Sequence, residues 1–171
     1  MISNQLNATE YHPYYKYYID KAVGLDIVGG LQINLEKAFA FLSEIPEEKY
    51  SFAYAKDKWT IKDILLHIID AERIFAYRAL RIARGDTTPL AGFEQNNYVL
   101  NGNATSRTFK SITDEYKAVR NATISLFGSF NDNMLQRVGK ASGSAVSVRA
   151  LGYIITGHEN HHLHIIEEHY L

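Results

Sequence analysis

Cysteine is missing from all 171 residues. That excludes a disulfide framework, a zinc ribbon and any thiol nucleophile supplied by the protein itself. It also suits a reducing compartment, and a cytoplasmic location is expected. Proline occurs only at positions 13, 46 and 89, all outside the strongly periodic segments. No run of about 18 apolar residues exists, so no membrane span is expected. The opening stretch, MISNQLNATEYHPYYKYYID, is polar and rich in tyrosine, and nothing in it resembles a signal peptide. Excess charge is lacking too. The formal net charge is −1 and the basic residues are scattered, which argues against a nucleic-acid partner. No segment alternates convincingly with period two, so no core sheet is expected.

What remains is an ordinary globular balance, 46% apolar and 22% charged, in a chain of the right length for one domain over residues 1–171. The apolar residues recur at helical spacing in four places. A first helix is predicted over Asp26–Ser43, with Gly29 and Gly30 weakening its start and Pro46 following its end. The second has the clearest start, because Thr60 with Asp63 three residues on forms a variant of the capping box. Ile64, His67, Ile68, Ala71, Ile74, Phe75 and Arg78 then fall on one face, and the helix should stop near Arg84, before Gly85. A third is predicted over Ser106–Phe127 and a last over Val148–His169. Between the second and third lies GDTTPLAGFEQNNYVLNGNA, which has no clear period. Such a length suits a functional loop or a long crossing connection in a bundle. GKASGSAVS reads as a Gly/Ser loop. The fold class expected is all-α, a four-helix bundle with a long crossover between helices 2 and 3.

Five of the seven histidines lie in the last fourteen residues. At about 100° per residue, His158 and His162 differ by roughly 40° and stack one turn apart. Both sit within the stripe of Leu151, Ile154, Ile155, Ile165 and Ile166. His164 points round toward solvent, His161 lies at the edge of the stripe, and His169 returns to it about 16 Å further along the axis. Two imidazoles at i and i+4 can grip one divalent transition metal from a rigid helix. A third ligand must come from elsewhere, and His67 is the only histidine in the middle of another helix, also on an apolar face. Three protein ligands would leave positions open for water or substrate, the pattern of a catalytic zinc site. A buried histidine is, however, more often a hydrogen-bonded core residue than a ligand.

His158-Glu159-Asn160-His161-His162 also satisfies HExxH, the zinc-protease signature in which Glu159 would act as general base. Only nine residues follow it, too few for the usual downstream ligand or for the lobe that builds a peptide cleft. Protease activity is not expected.

Three segments together resemble the DinB-like (YfiT-like) metalloprotein superfamily, which is distinct from the DNA polymerase sharing that name. They are Glu10-Tyr11-His12-Pro13-Tyr14-Tyr15; WTIKDILLHIIDAERIFAYR from Trp59 to Arg78, running on into Gly85-Asp86 and Pro89-Leu90-Ala91-Gly92-Phe93; and SVRALGYIITGHENHH from Ser147 to His162. The resemblance implies a four-helix bundle with a crossover after its second helix. It also implies one metal ion, commonly zinc or nickel, on a histidine of the second helix and an H-x-x-x-H pair of the last. Here those are His67, His158 and His162, the same three that helical spacing selects. The surplus histidines His161 and His164 depart from the pattern.

The superfamily includes S-transferases that use low-molecular-weight thiols, a thiol-dependent isomerase and many members of unknown activity. The resemblance therefore implies a metal-dependent enzyme acting on a small molecule, first of all a small-thiol-dependent S-transferase. A metal-dependent hydrolase, a non-catalytic metal- or ligand-binding module and a purely structural bundle are the alternatives, and a homodimer is expected of the family. A metal ion lowers the pKa of a bound thiol or water, so either could be the nucleophile, and the missing cysteine means that a thiol would come from outside. Asp70, one turn from His67, and Glu159 are the candidate catalytic carboxylates. For Asp70, Glu72 and Arg73, interhelical ion pairs are the plainer expectation. Trp59 reads as core packing beneath the second helix. Phe93, Asn96 and Tyr98 could roof the site. The tyrosines at 11, 14, 15, 17 and 18 read as an amphipathic lid rather than a binding box.

Overall fold

Each long helix starts where a side chain can satisfy the free N–H groups of its first turn. In the computed structural model of the chain, which describes residues 5–24 and 26–171, Asp26 caps α2 (Ile27–Ser43), Thr60 caps α3 (Ile61–Ala83), Thr108 caps α5 (Phe109–Gly128) and Ser147 caps α7 (Val148–His169). Met1–Asn4, where the stretch read as lacking a leader begins, lie outside the described residues, as does Leu25. At Thr60 the capping box is reciprocal. Thr60 Oγ1 accepts from the Asp63 N–H at 3.2 Å, and Asp63 Oδ2 accepts from the Thr60 N–H at 3.0 Å. Gly85, at φ +83°, follows the end of α3 in the left-handed conformation that glycine adopts without strain.

The four long helices form the bundle. α3 packs against α7 and α5, and α2 packs against the same two, so the ring runs α2–α5–α3–α7. Short helices α1 (Lys16–Ile19), α4 (Gln95–Gly102) and α6 (Asp132–Leu135) decorate it. No helix among the described residues is long and apolar enough to cross a membrane.

Three local readings need correction. The stretch between α3 and α5 is not featureless, since α4 occupies its second half, capped by Glu94 and ended by Asn103 at φ +53°. α5 starts at Phe109 rather than Ser106, because Thr108 supplies the cap and Ala104–Ser106 form a 3₁₀ turn. The Gly/Ser loop is an antiparallel hairpin of β1 (Val138–Ala141) and β2 (Ser144–Ser147), with Ala141 paired to Ser144. Its two central residues, Ser142 and Gly143, both have positive φ, as a type I′ hairpin turn demands. Leu90 adds to the hairpin edge, donating to Lys140 O and accepting from Ser142 N. That ties the long connection to the hairpin.

The apolar core is split in two. One cluster holds Ile27, Leu31, Phe75, Phe127, Leu151 and Ile154, and the other holds Ala38, Leu42, Ile64, Ile68, Ile112 and Ile166. Between them, at mid-height of the helices, lies a polar layer. Arg120 on α5 is fully buried and reaches all three other long helices. It bonds Glu72 on α3 through Nε and Nη2 at 2.9 Å, Glu159 on α7 at 3.0 Å and the carbonyl of Leu31 on α2 at 3.4 Å. Asn34 on α2 donates to Glu159 at 2.6 Å, and the Tyr116 hydroxyl donates to the other oxygen of Glu159.

The N-terminal segment presses into the bundle through two glycines. A Cβ at Gly157 would lie 1.7 Å from the carbonyl oxygen of Tyr18, and one at Gly30 would lie 2.5 Å from that of Val23. Only the missing side chains let the backbones meet. The glycine that weakens α2 as a helix is used for packing.

Candidate metal centre

His67 occupies the α3 face that carries Ile64, Ile68 and Ala71, and His158 and His162 share one face of α7, the neighbouring helix. Their side chains meet. His67 Nε2 lies 3.1 Å from His158 Nε2, which lies 3.1 Å from His162 Nε2. His67 and His158 are buried, at 3% and 8% exposure, and His162 is partly buried. One nitrogen from each ring falls within 4.8 Å of the other two, and no carboxylate oxygen among the described residues joins the group.

This arrangement suits a cation better than a hydrogen-bonded cluster. An imidazole nitrogen offers one lone pair or one N–H in the ring plane, so His158 Nε2 can satisfy only one neighbour by hydrogen bonding. The other would face it without a complementary group. Three lone pairs converging on one ion remove the conflict, and the spacing fits nitrogens that each sit about 2.0–2.1 Å from a shared zinc-like ion. The charge state agrees. Burial pushes His67 down to about 4 and His162 to about 3. His158 is held well below its ordinary value, by burial first and then by the neighbouring imidazoles. All three are neutral at pH 7, the form that binds metal.

A pH dependence follows for the metal-free protein. The unfolded rings titrate near 6.5 and the folded ones lower, so the unfolded chain takes up more protons below that value. The stability these rings contribute is present above 6.5 and declines as the pH falls toward 4, by up to about 1.4 kcal/mol per pH unit for each ring. Glu10 and Asp86, both held near 2 by arginine partners, add their own loss only at lower pH. Denaturant titrations of metal-free protein at pH 7.5 and 5.5 are expected to give lower stability at 5.5, and saturating zinc should restore part of it.

Neither candidate carboxylate reaches the triad. Glu159 points into the polar layer inside the bundle, where its oxygens are taken by Arg120, Asn34 and Tyr116. Asp70 faces Arg73, at 3.7 Å, and lies in the field of Glu115 and Arg107, with burial raising its pKa. Glu72 and Arg73 make the interhelical pairs expected of them, with Arg120 and Glu115 respectively. The surplus histidines lie apart from the three nitrogens. His161 Nδ1 is 3.4 Å from the Tyr17 hydroxyl, exposed His164 lies beside Glu167 and Glu168, and His169 stacks on Tyr54.

The walls of the site are aromatic, and here the sequence reading falls short. Trp59 is partly buried and packs against the core cluster of α3 as expected, but its ring also lies 4.9 Å from that of His67 and 6.4 Å from that of His162, so it lines the centre as well. Tyr18 stands edge-on to His158 at 5.3 Å, and Phe75 at 6.2 Å. A cavity of about 210 Å³ opens onto His67 and His158, with Tyr15, Tyr18, Phe75 and Phe93 around it. Part of the tyrosine segment is therefore a wall of the site and not only a lid. A second space of about 250 Å³ lies between Trp59, Asn96 and His162. Phe93 and Asn96 thus stand over the site, while Tyr98 packs on Phe93. A larger cavity, about 600 Å³ between Tyr50, Lys62 and Phe109, has no triad residue in its lining.

A family model described as the DinB superfamily matches residues 31–166. No curated protein matches the chain. Among solved structures the chain is similar to YfiT from Bacillus subtilis, with a TM-score of 0.70 and 12% identity over 93% of this chain and 91% of that one. That protein is described as "a probable metal-dependent hydrolase with an unusual four-helix bundle topology". At this identity the likeness shows the fold.

Proposed function

The chain belongs to the DinB superfamily, and from that premise we propose that it is a metal-dependent enzyme in which His67, His158 and His162 hold one divalent transition ion, zinc or nickel. We further propose that it transfers a low-molecular-weight thiol onto a small electrophilic substrate. The observation that carries the reading is the meeting of three neutral, largely buried imidazole nitrogens with no acidic side chain among them. When bound, such an ion lowers the pKa of a coordinated thiol or water and so makes a nucleophile available at neutral pH.

The remaining groups favour a thiol. A thiol ionises near 8.5 and needs only a small downward push, whereas water needs a much larger one, commonly with a nearby base to manage its proton. Here Asp70 and Glu159 are engaged elsewhere, and Glu94, which lines the cavity, is exposed and accepts from the Asn96 N–H. Trp59, Tyr18 and Phe75 exclude bulk water from the imidazoles and lower the local dielectric, which strengthens electrostatic interactions at the centre. A cavity of about 210 Å³ admits a small molecule and not a folded polypeptide. Hydrolysis of a small substrate is the second reading, supported by the likeness to YfiT.

The test is a paired screen of zinc- and nickel-loaded protein. One arm combines glutathione, cysteine or 2-mercaptoethanol with 1-chloro-2,4-dinitrobenzene, and the other offers p-nitrophenyl acetate and a p-nitroanilide without thiol. Conjugation that disappears in His158→Ala and on chelation is the expected outcome. Turnover confined to the second arm would replace transfer by hydrolysis, and no turnover in either would leave a metal- or ligand-binding module.

A further inference from the structure

Among the described residues, the buried and partly buried arginines of the bundle interior are paired with acids, with one exception. Arg120 holds Glu72 and Glu159, and partly buried Arg149 holds Glu10. Arg78, at 3% exposure, has no carboxylate partner among the described residues. Its Nη2 donates to the carbonyl of Ala91 at 2.7 Å and to Ser142 Oγ at 3.0 Å, and the Tyr15 hydroxyl lies near enough to interact electrostatically with the guanidinium. Its remaining neighbours are the rings of Phe75 and Phe93, with centroids 5.8 and 6.0 Å away. A guanidinium surrounded by neutral groups has lost its hydration without gaining a counter-charge, which is costly.

The location gives that cost a use. Ser142, whose hydroxyl accepts from Arg78, and Tyr15, whose hydroxyl lies in the field of the same guanidinium, both line the cavity that opens onto His67 and His158. A hydroxyl oxygen that accepts from a cation becomes a stronger donor through its own proton. One such hydroxyl at Ser142, and a second at Tyr15 in the field of the same buried positive charge, are suited to an anionic group, whose charge would also supply the missing counter-ion. The only acid in the lining, Glu94, is exposed, and its side chain accepts from the Asn96 N–H.

We propose that Tyr15, Ser142 and Arg78 form an anion-recognition wall, so that the cavity takes a small carboxylate with its apolar part against Tyr18, Phe75 and Phe93. The proposal deepens the reading of the triad as a reactive centre, because it orients such an acid between the wall and the imidazoles. Recognition itself depends on the wall. Tyr15 reaches it from the N-terminal segment, Arg78 from α3, and Ser142 from the hairpin turn, so the wall exists only once all three elements are assembled.

Calorimetric titration with benzoate, and with its neutral isostere benzamide, at constant ionic strength tests this on zinc-loaded and metal-free protein. Benzoate is expected to bind about tenfold or more tightly than benzamide in both forms. Tyr15→Phe, which keeps the ring in place, and Arg78→Gln should each remove most of that preference while benzamide affinity stays within about twofold. Equal binding of the two ligands, no binding of benzoate, or a benzoate preference that survives both substitutions would overturn the proposal. A preference that vanishes on chelation and ignores Tyr15→Phe would assign the anion to the metal and overturn it as well. If no metal is ever retained but the preference follows Tyr15 and Arg78, the wall stands and the proposed enzyme falls.

Discussion

His67→Ala and His162→Ala proteins, purified without a nickel column, are expected to carry almost no zinc or nickel where the unaltered protein carries about one ion per chain. Losing an outer hydrogen-bond partner of a metal ligand already costs 10–100-fold in affinity, so deleting a ligand should cost more than about a hundredfold. The two positions test convergence from separate helices, since His67 comes from α3 and His162 from α7. The fold should survive, because the hydrogen-bond distances of these Nε2 atoms run only to one another. His161→Ala is the control and should keep its metal, the His161 ring being turned toward Tyr17. Elemental analysis beside far-ultraviolet circular dichroism reads both quantities. Stoichiometric metal in both His67→Ala and His162→Ala would remove the basis of the proposed chemistry.

The second large effect concerns stability. Arg120→Met should cost about 3–5 kcal/mol in denaturant unfolding, the usual penalty for removing one member of a buried ion pair. Both Glu72 and Glu159 would be left without their cation, at 2% and 1% exposure. Glu159→Gln separates this role from the protease motif. If Glu159 were a general base, the change would abolish activity and leave stability nearly untouched. Its position between Arg120, Asn34 and Tyr116 predicts the reverse, a less stable protein that still binds stoichiometric metal. An unchanged melting curve with activity lost would return Glu159 to catalysis.

The histidines were legible because helical period and apolar surroundings act together. His158 and His162 fall inside an isoleucine stripe, and His67 falls inside another. The family match over residues 31–166 bears out the resemblance carried by the motifs at both ends of that span. Helix starts were legible where a cap was strong, as at Thr60, and misplaced where Thr108 competed with Ser106. The hairpin escaped notice because four-residue strands with Lys, Ser and Gly show no apolar alternation, and a Ser-Gly turn is a weaker signal than Asn-Gly. α4 escaped because three asparagines in eight residues lower helix propensity, and flanking contacts rather than pattern decide the outcome. Trp59 and Tyr18 could not be assigned to the site from sequence. They approach the imidazoles from segments outside the long helices, and no periodicity encodes that approach. Arg78 was visible only as one more position on the face of α3. What sets it apart among the described residues is burial without a carboxylate partner, which emerges once the surrounding segments are in place.

The contact of Gly157 with the Tyr18 carbonyl gives the aromatic enclosure a rigid foundation. Side chains yield to a new atom by turning about their bonds, but two main chains in direct touch have no such freedom. The depth at which the phenol rings stand before the imidazoles is consequently gauged by a residue that contributes no chemical group. Even one added methyl there would lift the whole N-terminal strap outward, widening the chamber from a point that touches neither ion nor guest.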